Sequence, residues 1–81
     1  MNENKITLYT KTNCPQCKMV SKLLKDIGVE INEKINLDED VFYIEVLKSK
    51  GVMSVPYIEG NFNNQPVEIR GFRPDLLRKL A

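Results

Sequence analysis

The sequence predicts an α/β fold, a four-stranded mixed sheet flanked by three helices in the order β-α-β-α-β-β-α, in one domain spanning residues 1–81. Three observations carry the prediction. A short alternating segment, Lys5-Ile6-Thr7-Leu8-Tyr9, runs directly into Cys14-Pro15-Gln16-Cys17. An apolar series at helical spacing follows it, and two short β-type segments near the C terminus flank a stretch rich in glycine and asparagine. A chain of 81 residues has room for one modest core, since domains below about 60 residues become marginal.

Lys5 to Tyr9 places Ile6 and Leu8 on one face and reads as the first strand. Pro15 opens the first helix, in which Cys17, Val20, Leu23, Leu24 and Ile27 share a face while Lys18, Lys22 and Lys25 point elsewhere. Gly28 is placed to end it. Val29 to Ile35 reads as a second strand at a sheet edge. Asp38-Glu39-Asp40 sits where acids favour a helix start, Lys48 and Lys50 where bases favour its end, and Gly51 stops it. Phe42, Tyr43, Val46 and Leu47 are its expected buried face. Val55 to Ile58 and Val67 to Ile69 form a hairpin around the reversing loop Glu59 to Pro66. Pro74 then opens a last helix, Asp75 to Leu80, with Leu76, Leu77 and Leu80 inward. The parallel first half requires a right-handed crossover.

Composition excludes several functions. The chain is 42% hydrophobic and 28% charged, as in ordinary globular proteins. Twelve basic against eleven acidic residues leave a net charge of +1, so no global field gathers nucleic acid or an acidic membrane. No run approaches the ~18 apolar residues of a membrane span, and Met1-Asn2-Glu3-Asn4-Lys5 has no signal-peptide character. A cytoplasmic monomer is expected, in a compartment where a lone Cys-x-x-Cys is more often catalytic or metal-binding than structural.

Both cysteines of the chain lie in that motif. With Pro15 at the first helical position, Cys14 becomes the helix N-cap, and its sulfur faces the amides of Gln16 and Cys17 and the positive end of the helix. These favour thiolate, with Lys11 and Lys18 adding to the field. Lowering a thiol from ~8.5 to ~7 needs about 1.4 kcal/mol per unit, within reach of helix-end donors. Cys17, in phase with Val20, Leu24 and Ile27, is expected to be buried and protonated until needed. This points to thiol-disulfide exchange, with Cys14 attacking and Cys17 resolving the mixed disulfide.

The pair has other readings. A structural disulfide across so short a loop restrains the unfolded chain little. A zinc site needs four ligands, and the chain offers two cysteines and no histidine, so no metal is assigned. An iron-sulfur cluster shared between two chains remains physically open. The residues alone do not decide whether Val55-Pro56 is cis or Pro56 simply starts a strand, nor whether Phe72 docks partners or packs in the core. Lys22 and Lys25 read as a solvated helix face, and Asp38 to Asp40 as helix-start chemistry.

Cys14-Pro15-Gln16-Cys17, Ser54-Val55-Pro56 and Gly71-Phe72-Arg73-Pro74-Asp75 together resemble the NrdH-redoxin branch of the glutaredoxin-like proteins, over nearly the whole chain. The resemblance implies a thioredoxin-like fold and a dithiol-disulfide oxidoreductase. It would carry electrons from thioredoxin reductase to a class Ib ribonucleotide reductase or another disulfide protein. No cofactor would be bound beyond the Cys14-Cys17 disulfide itself, with NADPH held by the reductase. It further implies a cis Pro56 beside the cysteines and a partner-binding surface of Lys11, Pro15, Gln16, Val55, Pro56, Gly71 and Phe72. Gln16 and Phe72-Arg73 stand where glutathione-using glutaredoxins carry an aromatic residue and an acidic pair, while Ile69-Arg70 stands where NrdH-redoxins usually have Trp-Ser. A glutathione-dependent glutaredoxin and an iron-sulfur cluster carrier are the alternatives.

Overall fold

The structure, a computed structural model, describes residues 4–80; the acidic start at Met1, Asn2 and Glu3 lies outside the described residues. Strand β1 (Lys5–Thr10) is followed by helix α1 (Pro15–Asp26), strand β2 (Glu33–Asn36), helix α2 (Phe42–Ser49), the hairpin β3 (Tyr57–Phe62) and β4 (Gln65–Arg70), and helix α3 (Pro74–Leu77), which tightens into a 3-10 turn over Arg78–Leu80. The strand order is β2-β1-β3-β4, with β1 and β2 parallel and the remaining pairs antiparallel. This is the mixed sheet expected, with β2 at an edge.

The alternation of β1 divides the interior in two. Ile6 and Leu8 join Ile58 and Ile69 on the face covered by Val20 and Leu24 of α1 and Leu77 of α3. Tyr9, with Ile35 and Tyr57, points to the other face, where Leu47 of α2 packs with Leu37 and Val52. Leu76, Leu80 and Phe72 are partly buried against the first cluster, so Phe72 packs on the core and keeps part of its surface exposed.

Several boundaries differ from expectation. Strand β2 begins at Glu33, because Val29 and Ile31 are used to close the core beside α1, and Asn32 links to β1 through Ile6 N–H to Asn32 Oδ1 at 2.7 Å. Helix α2 begins at Phe42, and the three acids fall in the preceding turn. Its sheet-facing side is therefore set by Tyr43, Ile44 and Leu47, and Phe42 is 68% exposed, its ring edge-on to Tyr43. The expected burial of Phe42 is thus corrected: Tyr43, Ile44 and Leu47 take the sheet-facing side, and Phe42, at the first helical position, lies outside it.

The hairpin is longer than predicted. Strand β3 begins only at Tyr57, leaving Val55 and Pro56 ahead of it, and the turn contracts to Asn63 and Asn64, with φ of 52° and 63°. Two asparagines in the left-handed region make the turn that matches strand twist. Pro66 is tolerated because β4 is an edge strand. Gly60 is the hinge of this arrangement: at φ +147°, a Cβ there would collide with the carbonyl oxygen of Lys5 across the sheet.

Candidate active site

Register alone assembles the site. Tyr9 pairs with Tyr57, and Tyr57 with Arg70. The residues after Tyr9, those before Tyr57 and those after Arg70 therefore leave the sheet at the same end. Thr10 pairs with Asn36 there as well. Four separate segments converge: the cysteine turn, the turn after β2, Val55-Pro56 and Gly71-Phe72.

In the cysteine turn, Asn13 takes a left-handed conformation (φ 58°) and swings Cys14 into the N-cap position of α1, where its backbone is extended (φ −106°, ψ 99°). Pro15 occupies the first helical position, where its missing N–H costs nothing. Of the two amides expected to face the sulfur, that of Cys17 makes the bond, donating to Cys14 Sγ at 3.2 Å. The Cys14 carbonyl in turn accepts from Lys18 N–H at 3.2 Å. Cys14 and Cys17 form a disulfide, their Cα atoms 5.2 Å apart. Cys14 is half-buried, Pro15 and Gln16 are exposed, and Cys17 is only 4% exposed, in the same helical phase as buried Val20 and Leu24.

At the same end of the sheet, the Val55-Pro56 bond is cis and Pro56 is fully buried. Gly71 N–H donates to the Pro56 carbonyl at 2.8 Å, tying the Gly71-Phe72 segment to the proline turn. Gly71 stands at φ +81°, beyond the end of β4. Arg73 then caps α3 and forks onto Asp75, Nε to Oδ1 at 3.3 Å and Nη2 to Oδ2 at 3.2 Å. That guanidinium holds the Asp75 carboxyl below its ordinary range.

A cleft of about 350 Å³ opens beside the cysteines, with Lys11, Lys18 and Lys34 against the single acid Glu39. Lys11 also lines a second, smaller cavity of about 140 Å³ under Met53 and Val55. Among the described residues no cluster of three or more His, Cys, Asp or Glu is placed to hold a metal, and no helix is long and apolar enough to cross a membrane.

Sequence reasoning missed the clip that holds the cysteine turn. Asp38 Oδ2 accepts from Thr12 N–H at 2.9 Å, Asn36 Nδ2 donates to Thr12 Oγ1 at 3.3 Å, and Asn36 Oδ1 accepts from Asp38 N–H at 2.9 Å. The available signal was Asn36-Leu37-Asp38 itself, since an asparagine whose side chain bonds two residues ahead makes a turn. The charge of Asp38 serves the neighbouring loop rather than the helix dipole.

The other face of the sheet carries a separate polar network. Tyr9 donates to Glu59 at 2.9 Å, Lys50 pairs with Glu59 at 2.8 Å, and Tyr57 donates to Glu68 at 3.1 Å. Burial first, then the bond to Glu68 and the nearby carboxylates, pushes Tyr57 up to about 12. Burial, with Glu59, also raises Tyr9 well above its usual value. Burial would raise Glu59, but the bonds from Lys50 and Tyr9 prevail and lower it.

The chain matches the glutaredoxin family profile over residues 6–62. It is 40% identical to the glutaredoxin-like protein NrdH of Lactococcus lactis subsp. cremoris, over 94% of this chain and 99% of that protein. The chain belongs to the glutaredoxin family. Within that family the NrdH of Escherichia coli O6:H1 is 29% identical, over 94% of this chain and 88% of the relative. The structure of E. coli NrdH-redoxin, a glutaredoxin-like protein described as having a thioredoxin-like activity profile, superimposes with a TM-score of 0.82 at 28% identity, covering 95% of each chain. Buckwheat glutaredoxin in complex with glutathione superimposes less well, with a TM-score of 0.63 at 26% identity over 85% of this chain and 62% of that one. This glutaredoxin-family protein therefore has the thioredoxin-like fold, resembles the NrdH-redoxins, and is a thiol-disulfide oxidoreductase whose redox group is the Cys14-Cys17 disulfide.

Proposed function

We propose that the protein carries electrons from thioredoxin reductase to a class Ib ribonucleotide reductase, with NADPH as the ultimate reductant held by the reductase. It would act as a single cytoplasmic domain spanning residues 1–81 and bind no cofactor of its own. One observation carries the chemistry: the sulfur of half-exposed Cys14 accepts an N–H at a helix start while its partner Cys17 is 4% exposed. The reduced Cys14 thiolate attacks one sulfur of the substrate disulfide, forming a mixed disulfide and expelling the other sulfur as thiolate. Cys17 then loses its proton and attacks Cys14 Sγ, releasing the second substrate thiolate and restoring the intramolecular disulfide. Two electrons pass to the substrate, and two protons complete its thiols. The reductase returns the electrons by the same exchange in reverse.

The partner assignment rests on likeness to NrdH proteins across 94% of the chain, on Gln16 at the position of the aromatic residue of a glutathione site, and on Phe72-Arg73 at the position of its acidic pair. Lys11, Pro15, Gln16, Val55, Gly71 and Phe72 form the proposed docking surface, which buried Pro56 shapes from beneath. Two experiments test the reading. The Cys17→Ser variant, mixed with a disulfide substrate, is expected to accumulate a covalent Cys14 adduct visible by mass spectrometry, and normal turnover by it would overturn the cysteine roles. Oxidised protein offered NADPH with thioredoxin reductase, or with glutathione and glutathione reductase, is expected to be reduced faster by the first. The opposite order assigns it to the glutathione system.

A further inference from the structure

The small cavity adjoining the cysteine cleft has no part in the exchange itself. Its floor is Leu37, Leu47 and Val52, each no more than 5% exposed, and Ile44 and Val55 close its sides. At about 140 Å³, it approaches the ~150 Å³ apolar cavity that accepts a benzene-sized guest, the bulk of one leucine, methionine or phenylalanine side chain. Met53 lines it while 75% exposed, an adaptable apolar group left at the rim. Lys11 lines both this cavity and the cysteine cleft, so the two adjoin at that residue.

The two charged residues in its lining, Lys11 and Lys48, are both basic. Lys11 makes no ion pair among the described residues. Lys48, also in the lining, pairs among the described residues with Glu45 at 3.6 Å, with side chains 50% and 78% exposed, a contact of little worth in water. Lys18 and Lys34 extend the basic surface along the cleft, where Glu39 is the acid in the lining. On a chain with a net charge of only +1, this concentration is local and selects for acidic partners.

We infer that this cavity is a substrate specificity pocket: it seats one large apolar side chain of a disulfide-bearing protein segment whose adjacent aspartate or glutamate meets Lys11 and Lys48. The inference rests on the oxidoreductase reading and adds to it the chemistry of the segment recognised.

The test uses pre-reduced full-length protein and synthetic cysteine-peptide homodisulfides in single turnover, acid-quenched, alkylated and read by mass spectrometry. Each turnover converts one peptide disulfide to two peptide thiols and the protein dithiol to its disulfide. Leu-Glu is placed two residues after the cysteine in one series and two before it in another, with Ala-Glu and Leu-Lys counterparts. Hydroxyethyl disulfide, which has no side chain to seat, is the reference. In one of the two orders, the Leu-Glu peptide is expected to react about ten-fold faster than Ala-Glu, the discrimination an apolar pocket supplies, and about three-fold faster than Leu-Lys. Met53→Asp is expected to lower the rate ratio of Leu-Glu peptide to hydroxyethyl disulfide by about ten-fold, and Lys48→Glu by about three-fold. Equal rates for Leu-Glu and Ala-Glu in both orders, or an unchanged ratio in Met53→Asp, would overturn the pocket while leaving the oxidoreductase reading intact. Failure of the wild-type protein to reduce hydroxyethyl disulfide overturns that reading and the pocket with it. A dimer in sedimentation that Met53→Asp dissociates would assign the cavity to a second copy of the chain and overturn the inference.

Discussion

Removing the Asp38 carboxylate isolates what holds the cysteine turn in place. Thr12 lies two residues before Cys14, and its amide has Asp38 Oδ2 as acceptor at 2.9 Å; the left-handed Asn13 between them converts the direction of Thr12 into that of Cys14. The bond is solvent-exposed, so its net worth lies below that of a buried charged hydrogen bond, at about 1 kcal/mol. If the turn must be ordered before Cys14 meets a disulfide, that energy appears in the rate as well as in stability. Asp38→Ala should lower kcat/KM for disulfide reduction at 25 °C about five-fold and Tm by about 4–8 °C. Asp38→Asn keeps an oxygen acceptor and should recover most of both. The assay is dithiothreitol-driven reduction of hydroxyethyl disulfide beside thermal melting by circular dichroism. An alanine variant within two-fold of wild type in kcat/KM, whatever its Tm, would show that Asp38 serves folding alone, and an asparagine variant as slow as alanine would replace the acceptor argument with one of charge.

Four further outcomes are expected. Gly60→Ala drives a Cβ into the Lys5 carbonyl at φ +147° and should cost about 2–4 kcal/mol, read as a lower urea midpoint; an unchanged midpoint would refute the close approach. Tyr57 is raised from 10.0 to about 12, so the fold holds its proton more tightly than the unfolded chain does. Its contribution is complete below pH 10 and is lost between pH 10 and 12, a fall of order 2–3 kcal/mol that Tyr57→Phe should reduce in urea titrations across that range. Glu59 has the opposite sign: with its value lowered, its contribution holds above its ordinary range and fades as pH falls through the folded value. Phe42→Gln, at a position 68% exposed, should change stability by less than about 1 kcal/mol, whereas Leu47→Ala, at 2% exposed, should cost about 2–5 kcal/mol; comparable losses at both positions would contradict the helix phase.

What was legible in the sequence was whatever local physics decides. Pro15 after Cys14 marks a helix start because proline lacks an N–H, and the series Cys17, Val20, Leu24 marks its buried face because only one phase packs on a sheet. What was hidden depended on distant partners. Glu59-Gly60-Asn61 has none of the apolar alternation of a strand, yet it is strand because Lys5 to Thr7 pairs with it, and Gly60 is required by the backbone opposite. Val29 and Ile31 alternate like a strand but are drawn off the sheet edge into the core beside α1. Asp38 to Asp40 look like a helix start because charge preference is local, while the bond that claims Asp38 spans 26 residues. The proline turn lay between these limits: its composition permitted either isomer, and family resemblance indicated the cis form found here.

The two-residue gap between the cysteines does its work through the boundary of α1. Residues three apart on a helix lie on neighbouring sites of one face, so Cys14 and Cys17 can meet, as their disulfide requires. Were both inside the helix, the phase that buries Val20 and Leu24 would draw both toward the core. Cys14 escapes because it is the cap: its extended backbone carries it out of the helical path and leaves it half-buried, while Cys17, inside the helix, sits at 4% exposure. The same boundary leaves the Cys17 amide without an intrahelical acceptor, and the sulfur of Cys14 is the group that receives it. Exposure of the attacking sulfur, shelter of the resolving one and a donor aimed at the first thus follow from one structural fact, that the helix begins between the two cysteines rather than before them.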